Sequence, residues 1–159
     1  MKFRFRLQKV LEHRQRLEDE AKRDYLKARA ATEDALTKLR SMYQAIDDSR
    51  TRAQGIQLKE NGSALSGVLR MSQSDRLQEI ELFIRGQGVR IERHKEAIRS
   101  LKIEEEEKQE ALVRAAREKK TLEKLREKKL QEFKEEQERR EQAEADDLAV
   151  MRFGRGEGP

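Results

Sequence analysis

Between residues 7 and 56 the chain repeats itself at steps of three and four positions, and this rhythm leaves it few ways to fold. Leu7, Val10, Arg14, Leu17, Ala21, Tyr25, Ala28, Thr32, Ala35, Leu39, Met42, Ile46, Ser49, Ala53 and Ile56 form one mainly apolar stripe along a helix. A stripe of that period is the seam of a coiled coil. One surplus four-residue step falls at Tyr25, where two halves of the stripe join, and it predicts a locally unwound supercoil. The only proline is Pro159, so no helix before it is broken by that residue.

A second stripe follows the same rule: Leu77, Ile80, Ile84, Gln87, Ile91, His94, Ile98, Leu101, Glu105, Lys108, Leu112, Ala115, Lys119 and Leu122, extended after a change of phase by Leu125, Leu130 and Phe133. At 1.5 Å per residue the two stripes span roughly 74 and roughly 84 Å. Between them, residues 57–73 carry turn chemistry in Asn61-Gly62-Ser63 and Ser66-Gly67. The expected fold is all-α: a long two-helix antiparallel coiled-coil hairpin forming a single domain over 1–147. Its helices are expected over about 3–55 and about 74–147, the second capped by Ser72 or Ser74 with Asp75 in its first turn. Residues 148–159 are expected to be disordered. Gly86 and Gly88 each weaken the second helix by roughly 1 kcal/mol relative to alanine. They predict a soft point, since the apolar register passes through them unshifted. The pairing brings Phe3 and Phe5 near Leu130 and Phe133, and Ile56 near Leu77.

Composition supports extended helices over a compact core, because 43% of the residues are charged and only 35% apolar. Scarce aromatics and the absence of tryptophan argue against an aromatic-lined pocket for a small-molecule substrate. No cysteine is present, which excludes disulfides and thiolate chemistry and is consistent with a reducing compartment. The opening Met1-Lys-Phe-Arg-Phe-Arg-Leu7 alternates charge with apolar residues and leads into no apolar block, unlike a signal peptide or a membrane span. A cytoplasmic protein is the expectation. The net charge of +5 is concentrated in residues 1–56, with 14 basic and 9 acidic side chains, whereas residues 89–147 carry 17 and 18. A basic helix suits nucleic acid, an acidic protein surface or an anionic membrane.

No constellation of catalytic or metal-binding residues emerges. His13 and His94 stand alone, without cysteine or a helix-spaced histidine pair, which points to structural or surface roles. The four carboxylates at 104–107 radiate around a helix instead of converging on a cation. Gly86-Gln-Gly88 follows no strand and precedes no Gly-Lys-Ser/Thr, so it is not a phosphate loop. No serine has a convergent base, and two paired helices offer no cavity that excludes water. The chain is therefore expected to be no enzyme and to need no cofactor or metal. Lys119, Lys120, Lys124, Arg126, Lys128 and Lys129 form a basic run, but Glu118, Glu123 and Glu127 interrupt it, unlike the compact basic region of a zipper protein. A solvated flank fits it better than nucleic-acid binding. Two groups exceed what a single seam buries: Leu82 and Phe83 beside Ile84 near the hairpin tip, and Phe3, Phe5 and Leu7 at the open end.

The residues at that open end carry a resemblance. Phe3-x-Phe5-x-Leu7-x-x-Val10-Leu11-x-x-Arg14 is similar to the opening of the flagellar export protein FliJ family. The far end, Arg117-Glu-Lys-Lys-Thr-Leu-Glu-Lys-Leu-Arg126 with Glu141-Gln142 and Asp146-Asp-Leu-Ala149, resembles the same family over nearly the whole chain. The resemblance implies a coiled-coil component of the flagellar type III export apparatus, similar to the central shaft of rotary ATPases. Such a protein inserts into the hexameric export ATPase ring, contacts the cytoplasmic domain of the export gate, handles export chaperones and is peripheral to the membrane. The implied ATPase-docking residues are Phe3, Phe5, Leu7, Val10, Leu11, Arg14, Lys119, Lys120, Lys124, Arg126, Lys128 and Lys129. Ala45 and Ser49 stand where family members carry tip aromatics, which leaves Leu39, Met42, Ile80, Phe83 and Ile84 for the gate. The residues by themselves leave three other readings open: a basic coiled coil associated with nucleic acid, an injectisome-type stalk protein, and a generic coiled-coil scaffold.

Overall fold

A computed structural model describes residues 2–62, 67–154 and 156 of the 159-residue chain, with side chains described for all of these except 60–62 and 67–71. It contains two helices, α1 (Gln8–Gly62) and α2 (Gly67–Gly154), and no strand among the described residues. The chain is an all-α antiparallel hairpin. It divides into two compact units: a terminal unit of Met1–Lys22 with Ala111–Pro159, and an inner unit of Arg23–Glu110.

In the inner unit the pairing reads directly from the contacts. Thr32 lies against Leu101 and Ala35 against His94, while Ala53 and Gln57 share a groove with Leu77, Ile80 and Ile84. As one number climbs, the other falls, which is the signature of antiparallel helices. Of the seven buried residues among those described, six sit in this unit: Ala28, Thr32, Ile46, Ser49, Ile91 and Ile98. The two buried hydroxyls satisfy themselves along their own helix. Thr32 Oγ1 donates to the Ala28 carbonyl at 3.1 Å, and Ser49 Oγ to that of Ala45 at 2.8 Å. His94 Nε2 lies 2.8 Å from the Ala35 carbonyl. A carbonyl only accepts, so this nitrogen carries a proton and ties α2 to the backbone of α1. His13 is exposed.

The whole expected α2 stripe from Leu77 to Leu122 is buried or half-buried, and Leu130 and Phe133 after it are half-buried. The start of the α1 stripe differs from expectation. Leu11 is the buried side chain at 9% exposure, while Val10 is 42% exposed. Glu18 joins Leu17 as a half-buried residue. With Leu11, Arg14, Glu18, Ala21 and Tyr25 on the seam, the steps of three and four run through Ala28 without a surplus step. The expected stutter is therefore an artefact of choosing the apolar Val10 and Leu17 over a buried leucine and a paired carboxylate.

The element boundaries also move. α1 begins at Gln8 and not near residue 3, because Phe3, Phe5 and Leu7 repeat at a period of two. In a helix, positions two apart point to nearly opposite sides, whereas an extended chain aligns them. Residues 2–5 accordingly have no helical structure and 6–7 form a turn. Gln8 N–H then donates to the Phe5 carbonyl at 3.1 Å and Leu11 N–H to that of Leu7 at 2.9 Å, which fills donors that a helix start leaves open. At its other end α1 runs through Gly55 to Gly62, since Ala53 and Ile56 still have a seam to enter. α2 starts at Gly67, so Ser72, Ser74 and Asp75 lie within it. Of the expected connection over 57–73, residues 63–66 lie outside the described residues. α2 passes unbroken through Gly86 and Gly88, where an added methyl would meet nothing within 4 Å. It also continues through 148–154, where disorder was expected, because Leu148-Ala-Val-Met-Arg-Phe153 lacks helix breakers. Positions 155 and 157–159 of that expected tail lie outside the described residues.

The corrected register has a direct test in chemical denaturation. Leu11→Ala should destabilise the chain by about 2 kcal/mol or more, as a core truncation does. Val10→Ala should change stability by less than about 0.5 kcal/mol.

Candidate functional site

The terminal unit holds a surface cleft. Residues 3–7 lie along α2 and, with Leu125, Lys129, Glu132, Phe133 and Glu136, line an open cavity of about 820 Å³. Its apolar lining comes from Phe3, Phe5, Leu7, Leu125 and Phe133. The Phe3 and Phe133 rings stand 5.7 Å apart at 54°, a tilted aromatic pair of the kind worth about 0.5–1.5 kcal/mol beyond its buried area. Phe3 and Phe5 are half-buried, Leu7 is exposed, and so are Lys2, Arg4 and Arg6, of which Arg4 and Arg6 also line the cleft.

The expected docking residues sort into two groups. Leu11 is spent on the seam, Arg14 is paired with Glu118, and Lys119 lies 2.6 Å from Glu18 and 3.7 Å from Glu123. Lys129 is paired with Glu132 at 2.7 Å but remains exposed. Lys120, Lys124 and Lys128 recur every four residues on one face of α2. They and Arg126 are exposed, with no ion pair among the described residues. Four unpaired cations beside an apolar cleft form a surface that attracts an anionic partner and offers it something to bury.

The Lys119–Glu18 contact is a different object. Their side chains are 19% and 21% exposed, so the pair is largely withdrawn from water. The Glu18 hydrogen bond, outweighing desolvation, holds the Lys119 ammonium above the ordinary lysine range. This pair belongs to the helix–helix contact and not to a surface open to partners.

In the inner unit, Leu39, Met42, Ile80 and Ile84 are half-buried on the seam, whereas Phe83 is 43% exposed. Of the five residues expected to meet the gate, only Phe83 faces outward. Its accessible neighbours in sequence are Leu82 at 67% and Val89 at 58%. Leu82 and Val89 are seven residues apart on the side of α2 away from the seam. That spacing was available in the sequence as a second, shorter stripe. Tyr43 is also exposed, with the Lys95 ammonium 6.0 Å from its ring centroid. The hydrogen bond that Lys95 donates to Glu92 at 2.8 Å, and after it the one to Tyr43, hold the Lys95 ammonium above its ordinary range.

A third surface lies on α2 beyond the cleft. All residues of 138–154 are exposed, including Leu148, Val150, Met151 and Phe153, the last at 83%. Among the described residues no cluster of three metal-ligating side chains occurs, and no helix is long and apolar enough to cross a membrane.

The raised Lys119 value fixes the sign of a pH effect. The folded chain holds that proton more tightly than the unfolded chain. The pair's contribution to stability is therefore complete below about pH 10.4 and is lost as pH rises through the higher folded value. Urea melts from about pH 9 to about pH 12 should show the gap between wild type and Glu18→Gln closing across the lysine range. A double-mutant cycle at neutral pH should return a coupling of about 1 kcal/mol.

Comparison with known proteins gives one result. A family model described as the flagellar FliJ protein matches residues 2–158, which is nearly the whole chain. No curated protein and no solved structure matches.

Proposed function

The chain belongs to the flagellar FliJ protein family, and on that premise we propose that it couples the export ATPase to the export gate as a non-enzymatic stalk component. Family membership places it among flagellar type III export components. The finer reading assigns the terminal unit to the hexameric ATPase ring. Insertion there stimulates turnover without the chain itself hydrolysing nucleotide. The supporting observation is the apolar cleft at Phe3, Phe5, Leu125 and Phe133, flanked by the unpaired cations Lys120, Lys124, Arg126 and Lys128. An apolar centre supplies affinity, and a cationic margin steers an acidic partner into place.

The inner unit takes the gate. Phe83, Leu82 and Val89 are the side chains with area to give, because Leu39, Met42, Ile80 and Ile84 already occupy the seam. Carrying both contacts on one continuous chain makes the protein a mechanical link between two machines. Peripheral association with the membrane then follows from the gate, and escort of export chaperones is a further role on the same exposed surfaces.

Turnover and oligomerisation of the purified cognate ATPase, with and without this chain, test the reading. Wild type should raise both. Lys120→Glu, Lys124→Glu and Lys128→Glu together should weaken ATPase binding by about tenfold or more while leaving helicity unchanged. An ATPase indifferent to the wild-type chain would refute the coupling role.

The gate contact has its own discriminator. Phe83→Asp should reduce binding to the gate's cytoplasmic domain without lowering the melting temperature. Ile84→Ala should instead cost stability, by roughly 1–3 kcal/mol for a half-buried seam residue. Equal gate binding by wild type and Phe83→Asp would remove this surface from the proposal.

A further inference from the structure

We propose that residues 2–5 serve as a ready-made strand edge that captures an extended segment of a protein partner, one in which acidic and apolar residues alternate. The inference deepens the docking reading of the terminal unit by naming the form and chemistry of what enters its cleft.

Three observations converge on it. First, residues 2–5 have no helical structure and alternate exposed and half-buried, as the side chains of an extended chain do, while nearly everything else described is helical. Among the described residues, the backbone groups of residues 2–4 make no hydrogen bond, and only the Phe5 carbonyl is used, by Gln8 N–H. A run of unpaired N–H and C=O groups is a template for another strand. Second, Phe3 and Phe5 are half-buried while Lys2, Arg4 and Arg6 are exposed, Arg4 and Arg6 at the cleft's margin, and these three cations have no ion pair among the described residues. Third, the cavity of about 820 Å³ lies along the edge, with Leu125 and Phe133 in its wall.

A strand laid beside this edge meets two different demands. Its side chains on the α2 side enter the apolar cavity. Those on the opposite side stand across from Lys2 and Arg4 at the close spacing of cross-strand pairs. Acid on one face and apolar on the other satisfies both. A second copy of this edge would set cation against cation, so self-pairing is disfavoured. A helical partner presents no edge to pair with.

The test uses the full chain and fluorescently labelled peptides of about ten residues, read by anisotropy. One alternates glutamate with valine, and a second has the same composition in a helical order. Two further versions of the first carry N-methyl groups along one edge or the other. The alternating peptide should bind, the reordered one should bind at least about tenfold more weakly, and one of the two methylated versions should lose a similar factor. Phe5→Ala and Arg4→Glu in the chain should weaken binding, while Tyr43→Ala in the inner unit should not. Equal binding of the reordered and both methylated peptides would mean that charge alone attracts them, and no binding at all would equally overturn the strand. Binding of the cognate ATPase is measured in parallel. An ATPase that binds the chain but is not displaced by the alternating peptide sinks the strand and spares the docking role. An ATPase that does not bind sinks the docking role, while the peptide titration still decides the strand.

Discussion

The helix–helix seam is the constraint from which the rest follows. Each helix satisfies its own backbone hydrogen bonds, so the main favourable term that joins α1 to α2 is the burial of one stripe per helix, with a few polar contacts such as His94 to the Ala35 carbonyl beside it. That stripe is thin. Only seven described residues are buried, and none is a fully buried large side chain. Six of the seven lie in the inner unit, where Ile46, Ile91 and Ile98 supply the apolar area and Thr32 and Ser49 fit as small residues with their hydroxyls satisfied locally. Stability is thus graded along the chain, and the terminal unit is expected to open more readily than the inner one.

What the terminal unit lacks in apolar area it partly replaces with charge. Arg14 with Glu118 and Glu18 with Lys119 stand at or beside seam positions where aliphatic residues would otherwise sit. Ion pairs in such places gain little net stability, since desolvation offsets much of the attraction. They do discriminate against sliding: a shift of either helix by one turn would leave a half-buried charge without its partner. The arrangement trades strength for register at the end that also carries the cleft.

Much of this was legible in the residues, and the failures share a cause. The α2 stripe from Leu77 to Leu122 could be read without error because its polar members, Gln87, His94, Glu105, Lys108 and Lys119, fall in strict sequence with isoleucines and leucines. At the start of α1 the same rule met two adjacent choices, Val10 or Leu11 and Leu17 or Glu18, and apolarity alone selected the wrong phase. Burial there is decided by which carboxylate finds a lysine across the seam, and that depends on the partner helix. The extended opening was visible as a period of two, yet the residues following it favour helix so strongly that a helix was extended back over it. The residues expected at the gate show a complementary effect, since four of the five lie half-buried on the seam. Leu39, Met42, Ile80 and Ile84 were chosen for being apolar, but in a two-helix protein an apolar residue on the stripe is consumed by the partner helix. Docking surfaces must be sought off the stripe.

That last point gives the functional argument its footing. A hairpin that closes its own seam has no apolar stripe left to recruit further helices, so its contacts with larger partners depend on residues outside the repeat. In this chain those residues are of distinct kinds. The terminal unit offers a non-helical opening segment, a cleft with three phenylalanines, and cations spaced four apart. The inner unit offers Phe83 with Leu82 and Val89 on helical surface. An edge suits a strand and a helical patch suits a groove or a flat face, so the two units offer chemically different surfaces. The proposed coupling role requires that separation, because a surface able to bind both partners would let one displace the other.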